Sequence, residues 1–116
     1  MQESWKFKLN NTHSDPKNLI GETIAKEQKE WGIFISLYAK LDGAIAEDIS
    51  LEEIKSIGTD LSGTVILAFN KIYYNACLNI HEQDKDKIKL DYQIDTEKDE
   101  IVFIGPMIPE RGMDDI

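Results

Sequence analysis

The region from Ile88 to Ile104 contains two apolar segments separated by a short polar loop. In the first segment apolar residues alternate with polar ones, in the order Ile88, Lys89, Leu90, Asp91, Tyr92, Gln93, Ile94. This period of two predicts a β-strand with one buried face. Residues 95–99 are polar, and four successive apolar residues follow Glu100. The region therefore predicts a β-hairpin whose second strand, 100–104, is buried on both faces.

Other segments predict one further strand and two main helices. Residues 4–10 alternate in the same way and predict a strand. Asp15-Pro16 supplies a helix cap followed by the residue best tolerated at the first helical position, so a helix is predicted over 16–30. A second main helix is predicted over 60–80, where apolar residues recur every three or four positions. Ser50 and Glu53 have the spacing of a capping box and predict a short helix ending at Ile57, and 81–87 is interpreted as a polar connector.

Residues 31–41 fit two patterns. Ile33, Ile35, Leu37, Ala39 and Leu41 alternate as in a strand, whereas Trp31, Phe34, Ile35, Tyr38 and Leu41 have helical spacing. Gly32 and the β-branched and aromatic content favour a strand that turns at Asp42-Gly43 into a partner over 44–48. The alternative is a helix that continues to Leu41 and stops at Asp42-Gly43.

These elements predict an α+β fold for a single small domain over residues 1–105. In it, an antiparallel sheet of the N-terminal strand and the hairpins packs on two main helices. Residues 106–116, with two prolines and two methionines, are predicted to form a C-terminal arm. A chain of 116 residues has the usual length of one domain.

The composition excludes several classes of partner. Thirteen basic and 22 acidic residues give a net charge of −9, which opposes binding to nucleic acid and to anionic membranes. The first residues lack the pattern of a secretory signal, and no apolar run has the length of a membrane span. The single cysteine excludes an internal disulfide, and we expect a cytoplasmic location.

Sequence motifs of catalysis are absent. The chain has no phosphate-binding loop, no dinucleotide-binding glycine motif, no nucleophile elbow and no zinc-binding pair such as His-Glu-x-x-His or Cys-x-x-Cys. Cys77 and His81 are four residues apart, but two ligands do not make a metal site, and His13 lies in a turn. The Asp42–Glu53 segment fails the calcium-loop pattern, because Ala44 and Ala46 occupy ligand positions. We therefore expect no metal, no cofactor and no enzymatic activity.

The acidic residues are unevenly distributed. Residues 1–41 contain six basic and five acidic residues, whereas residues 42–60 contain one basic and six acidic ones. Complementary charge speeds association with a basic protein partner. The candidate partner-binding residues lie in this segment and in the hairpin loop: Asp42, Glu47, Asp48, Glu52, Glu53, Asp95, Glu97, Asp99 and Glu100.

Small size, acidity and the absence of catalytic motifs lead to a first hypothesis: an inhibitor that covers a basic toxin or nuclease. The chain resembles bacterial immunity proteins and antitoxins in size and composition. The second hypothesis is a chaperone or adaptor that docks a partner segment through Ile104, Met107, Ile108 and Met113. The third is an enzyme with an unrecognised site around Tyr74, Cys77 and His81. A homodimer is compatible with each of them.

Overall fold

A computed structural model describes residues 1–10, 15–57, 61–75 and 80–108. Its elements, in chain order, are β1 (Ser4–Lys8), α1 (Pro16–Lys26), α2 (Gln28–Ala39), a 3₁₀ turn (Lys40–Asp42), β2 (Ala44–Ile57), β3 (Ser62–Asn75), β4 (Ile80–Asp95) and β5 (Glu100–Ile104). The two helices and five antiparallel strands confirm the predicted α+β class.

The strands form one antiparallel sheet in the order β1-β5-β4-β3-β2. The predicted hairpin is present as β4 and β5, with Ile94 opposite Ile101. Phe7 in β1 pairs with Ile101 from the other side, so the first strand of the chain lies beside the last. β5, β4 and β3 are therefore interior strands, and β1 and β2 form the two edges.

Local sequence signals fix the ends of the helices. The Asp15 side chain accepts a hydrogen bond from Asn18 N at 3.2 Å, and Pro16 follows it at the start of α1. Glu27, with φ of −117°, separates α1 from α2, so the predicted helix 16–30 is two helices. Gly43, with φ of 76°, ends the helical region in a left-handed conformation that glycine adopts without steric cost.

Helix α2 packs against both edges of the sheet. Phe34 stacks on Trp5 of β1 at 5.6 Å, and the Ser36 hydroxyl accepts a hydrogen bond from Ala46 N of β2 at 2.9 Å. The contact with β2 involves the backbone of the strand, whereas β1 is reached through two long aromatic side chains. Trp31 is fully buried between α2 and the sheet, with its ring 4.6 Å from that of Phe103.

The favoured strand over residues 33–41 is wrong, and so is its pairing in a hairpin with residues 44–48. Residues 44–48 do form a strand, the start of β2, but β2 pairs with β3. The helical alternative is correct, because Trp31, Phe34 and Tyr38 all face the core whereas Ile33 is 45% exposed. The strand-like alternation of this segment arises because most of its residues are apolar, and it does not indicate a strand. Asp42-Gly43 forms the predicted helix stop.

The short helix over 50–57, the long helix over 60–80 and the connector over 81–87 are also wrong. Within the described residues, these segments form parts of β2, β3 and β4, whereas residues 60 and 76–79 of the predicted long helix lie outside the described ranges. In β3, Val65, Leu67 and Phe69 face the core at every second position, and apolar residues between them obscure the alternation. The capping-box spacing of Ser50 and Glu53, which predicted the short helix, lies within β2, where the register shifts between Leu51 and Glu53.

The start of the predicted C-terminal arm packs against the beginning of the chain. Gly105 N donates to Glu3 O at 2.8 Å, and Ile108 N donates to Met1 O at 2.7 Å. The Tyr38 hydroxyl donates to Pro106 O and accepts from Glu3 N. Residues 106–108 therefore belong to the packed structure, and the rest of the arm, residues 109–116, lies outside the described residues.

Candidate functional site

A wide groove runs along the surface between α2 and the edge strand β2. It encloses about 730 Å³. Ile33 of α2 is 45% exposed and Ile45 of β2 is 52% exposed, and both line the groove together with Leu37. Large apolar side chains that are exposed next to one another are typical of protein interfaces. The groove is therefore a candidate binding surface.

Gln28, Gly32 and Ser36 lie on one face of α2 and join the helix to the edge of β2. Gln28 Nε2 donates to Ile49 O at 2.8 Å, and Ser36 Oγ accepts from Ala46 N. Gly32 lies between these two contacts, and a Cβ there would lie 3.5 Å from Ala46 O, an ordinary van der Waals distance, so the site has room for alanine. These contacts occupy backbone groups that an edge strand otherwise exposes to another chain. A partner in this groove must therefore contact side chains rather than extend the sheet at residues 46 and 49.

Charged residues of opposite sign line the two sides of the groove. Lys29 and Lys40 lie on the helix side, and Glu47 and Asp48 lie on the strand side. Asp48 has φ of 54° at a register shift in β2, and its carboxylate accepts a hydrogen bond from Asn70 Nδ2 at 2.9 Å. Aspartate tolerates this left-handed conformation better than most residues. Two of the predicted partner-binding residues thus border the exposed apolar surface.

Other acidic residues of the 42–53 segment have basic partners within the chain. Asp42 contacts Lys71 at 2.8 Å, Glu52 contacts Lys87 at 3.8 Å, and Glu53 contacts Lys55 at 3.9 Å. A row of exposed lysines on β4, namely Lys85, Lys87 and Lys89, lies one strand away from β2 across β3. The segment is therefore partly neutralised by its own fold.

The acidic residues of the hairpin loop lie at the other end of the sheet. Asp95 Oδ1 accepts hydrogen bonds from the backbone of Glu97 and Lys98, and Glu100 contacts Lys8 at 3.6 Å. Glu97 and Asp99 are exposed in the same turn. Two positions along β3 show how far apart these groups lie. Glu47 pairs with Asn70, whereas Gln93, which precedes the hairpin loop, pairs with Ser62. That separation along β3 is roughly 25 Å. Glu47 and the hairpin loop therefore do not lie in one continuous patch.

A second, smaller cavity lies at the end of α2 and contains a buried lysine. Its volume is about 400 Å³. Lys71 Nζ contacts Asp42 Oδ2 at 2.8 Å and Asp86 Oδ2 at 3.1 Å, while Tyr38, Phe69 and other apolar residues form the walls. The sequence pattern missed Lys71 and Asp86, because their segments were interpreted as a helix and a connector. The sequence contained one signal for this site, namely a lysine within a largely apolar segment.

The electrostatics of this cluster favour the charged forms of Lys71 and Asp86. The hydrogen bond to Asp42 raises the pKa of Lys71 above its ordinary value; burial opposes this rise, and Asp86 adds to it. Burial raises the pKa of Asp86, but the Lys87 backbone N–H and the Lys71 ammonium together lower it below its ordinary value. A lysine held in its protonated form cannot act as a nucleophile or a general base. The cluster is therefore suited to binding and not to lysine-based catalysis.

No group of three or more His, Cys, Asp or Glu side chains in the described ranges is placed to hold a metal ion. Cys77 and His13 lie outside those ranges, and the side chains of Tyr74 and His81 are not described either. Among the helices of the described residues, none is long and apolar enough to cross a membrane.

Comparisons with protein-family models, with curated proteins and with solved structures found no match.

Proposed function

We propose that this chain is a small acidic cytoplasmic binding protein of the immunity or antitoxin type, which neutralises a basic toxin or nuclease by covering its active-site surface. The observation that carries the proposal is the position of Glu47 and Asp48 beside exposed Ile33 and Ile45 in the α2–β2 groove. Apolar residues surrounded by charged ones are the usual composition of a protein interface.

The two kinds of residue have different roles in this proposal. The net charge of −9 attracts a basic partner over distances up to about a Debye length, roughly 8 Å at physiological salt. Ile33 and Ile45 then lose their exposure to water on contact, which supplies the binding free energy that charge alone does not. Glu47 and Asp48 orient the complex.

A capture experiment tests this proposal. The tagged chain is incubated with a lysate of its source organism, washed across a salt series and analysed by mass spectrometry. We expect one basic protein in stoichiometric amount, released at moderate salt, whose activity is inhibited by the purified chain. Recovery of the chain alone, or of a partner without an activity that the chain inhibits, contradicts the proposal.

A pair of matched variants tests the site. Glu47→Gln with Asp48→Asn removes two charges at the groove, and Glu97→Gln with Asp99→Asn removes two at the far end. Asp48 and Asp99 both have positive φ, at 54° and 52°, which asparagine also tolerates. The first variant should weaken capture and reduce its salt dependence, and the second should change neither as much. Equal effects of both variants would show that only overall charge matters.

The exposed apolar residues also favour a second candidate, a chaperone or adaptor. Leu41 is 53% exposed and Met107 is 63% exposed, in addition to the two isoleucines of the groove. A partner held by these residues should remain bound through high salt. Truncation after Ile108 is the appropriate test of the arm, because truncation after Gly105 also removes the Pro106 carbonyl that accepts a hydrogen bond from Tyr38.

A further inference from the structure

The cavity at the end of α2 combines apolar walls with a polar end. Phe69 and Ile88 contribute from the sheet, Leu41 follows the helix, and Pro106 and Ile108 contribute from the C-terminal segment. Lys71, Asp42 and Asp86 form the polar end. A volume of about 400 Å³ lies within the range of small-ligand sites. The cavity can therefore hold one side chain or a ligand of similar size.

The charge at the polar end is not balanced. One ammonium serves two carboxylates, and the Lys71 side chain is only 11% exposed, whereas those of Asp42 and Asp86 are 58% and 47% exposed. Lys87 also lines the cavity, but its ammonium lies 3.8 Å from Glu52. Asp84, opposite Lys71 in the register, adds a further exposed carboxylate nearby. A ligand that enters therefore meets accessible negative charge before it meets the buried lysine.

We infer that this cavity receives an arginine side chain of the basic partner, an inference that rests on the proposed function. The guanidinium carries several donors in one plane and can bridge two carboxylates. The Lys71-bound oxygens of Asp42 and Asp86 are less than about 6 Å apart, because both contact the same nitrogen, which suits such a bridge. The aliphatic part of the arginine packs on Phe69 and Leu41. Buried arginines are frequent energetic centres of protein interfaces.

An anionic ligand fits the same cavity poorly. To reach Lys71 it must displace Asp42 or Asp86, and it approaches through the exposed oxygens of both. The two possibilities respond in opposite ways to removal of Lys71. Without the internal ammonium, a cation gains two carboxylates that no longer share a lysine, whereas an anion loses the buried ammonium.

The experiment uses the isolated chain and two probes with short unbranched alkyl groups and opposite charge, butylguanidinium and butyrate. Amide shifts at residues 38–42, 69–71 and 86–88 are followed by NMR during titration. Saturable shifts with butylguanidinium and none with butyrate are the expected result. Asp86→Asn should weaken this binding by about tenfold, whereas Lys71→Met should strengthen it. The far-end variant Glu97→Gln with Asp99→Asn should leave it unchanged.

Three results would overturn the inference: no shift with butylguanidinium, equal binding of butyrate, or loss of butylguanidinium binding in Lys71→Met. If Lys71→Met does not fold, the titration of Asp86→Asn with butylguanidinium decides alone. Unchanged affinity in that variant would show that the cavity is not the binding site. If these titrations fail, the proposed function still stands when Glu47→Gln with Asp48→Asn abolishes capture of the partner. Absence of any captured partner rejects the proposed function whatever the probes show.

Discussion

A single methyl group added at Gly105 should have a large effect on stability. A Cβ there would lie 2.2 Å from the Tyr38 hydroxyl oxygen and 2.5 Å from the ring carbon that carries it. The ring cannot move away without cost, since its hydroxyl is hydrogen-bonded to Glu3 N and Pro106 O. Gly105 does not have a positive φ, so alanine adds no backbone strain. We expect Gly105→Ala to lower the free energy of unfolding by about 1–3 kcal/mol, the usual cost of overpacking.

The assay is urea unfolding followed by the fluorescence of Trp5 and Trp31, which lie in or beside the aromatic core. Gly21→Ala is the matched control, because open space surrounds Gly21 within α1, and alanine should stabilise that helix by about 1 kcal/mol. In a Tyr38→Leu background the cost of Gly105→Ala should fall below about 0.5 kcal/mol. An unchanged cost in that background would refute the steric argument.

Other predictions concern the edge of β2, the helix stop and pH. Ser36→Ala should destabilise by about 1 kcal/mol and lower the urea midpoint, because Ala46 N loses its acceptor. Gly43→Ala should cost about 1–2 kcal/mol in the same assay, since φ there is 76°. Because the pKa of Asp86 is lowered in the folded state, the ionised carboxylate stabilises the fold at a pH above the ordinary aspartate pKa. This contribution should disappear as pH falls through the lower pKa of the folded state. Because the pKa of Lys71 is raised in the folded state, its ammonium should stabilise the fold at a pH below the ordinary lysine pKa. This contribution should be lost as pH rises through the higher pKa of the folded state. Unfolding curves across pH check both directions, with a flattened acid limb in Asp86→Asn.

The sequence by itself determined the elements in which side-chain period and local caps agree. The alternation from Ile88 to Ile94 specifies a strand with one buried face, and the polar turn after it forces the chain back. Asp15-Pro16 specifies the start of α1, since both the side-chain acceptor and the fixed φ of proline are local. Net charge and the missing catalytic motifs are likewise properties of composition, and they led to a binding protein as the first hypothesis.

Only the tertiary structure decided the segments that are apolar on more than one face. Residues 31–41 have both periods, and the helix forms because it buries Trp31 and Phe34 in the aromatic core. In β3, the apolar residues Ile66 and Ala68 stand between core residues and hide the alternation. The contact of Asp42, Lys71 and Asp86 joins a turn and two strands, and no local pattern encodes that distance. Side-chain period specifies which faces are buried, but which elements meet depends on the packing of the whole chain.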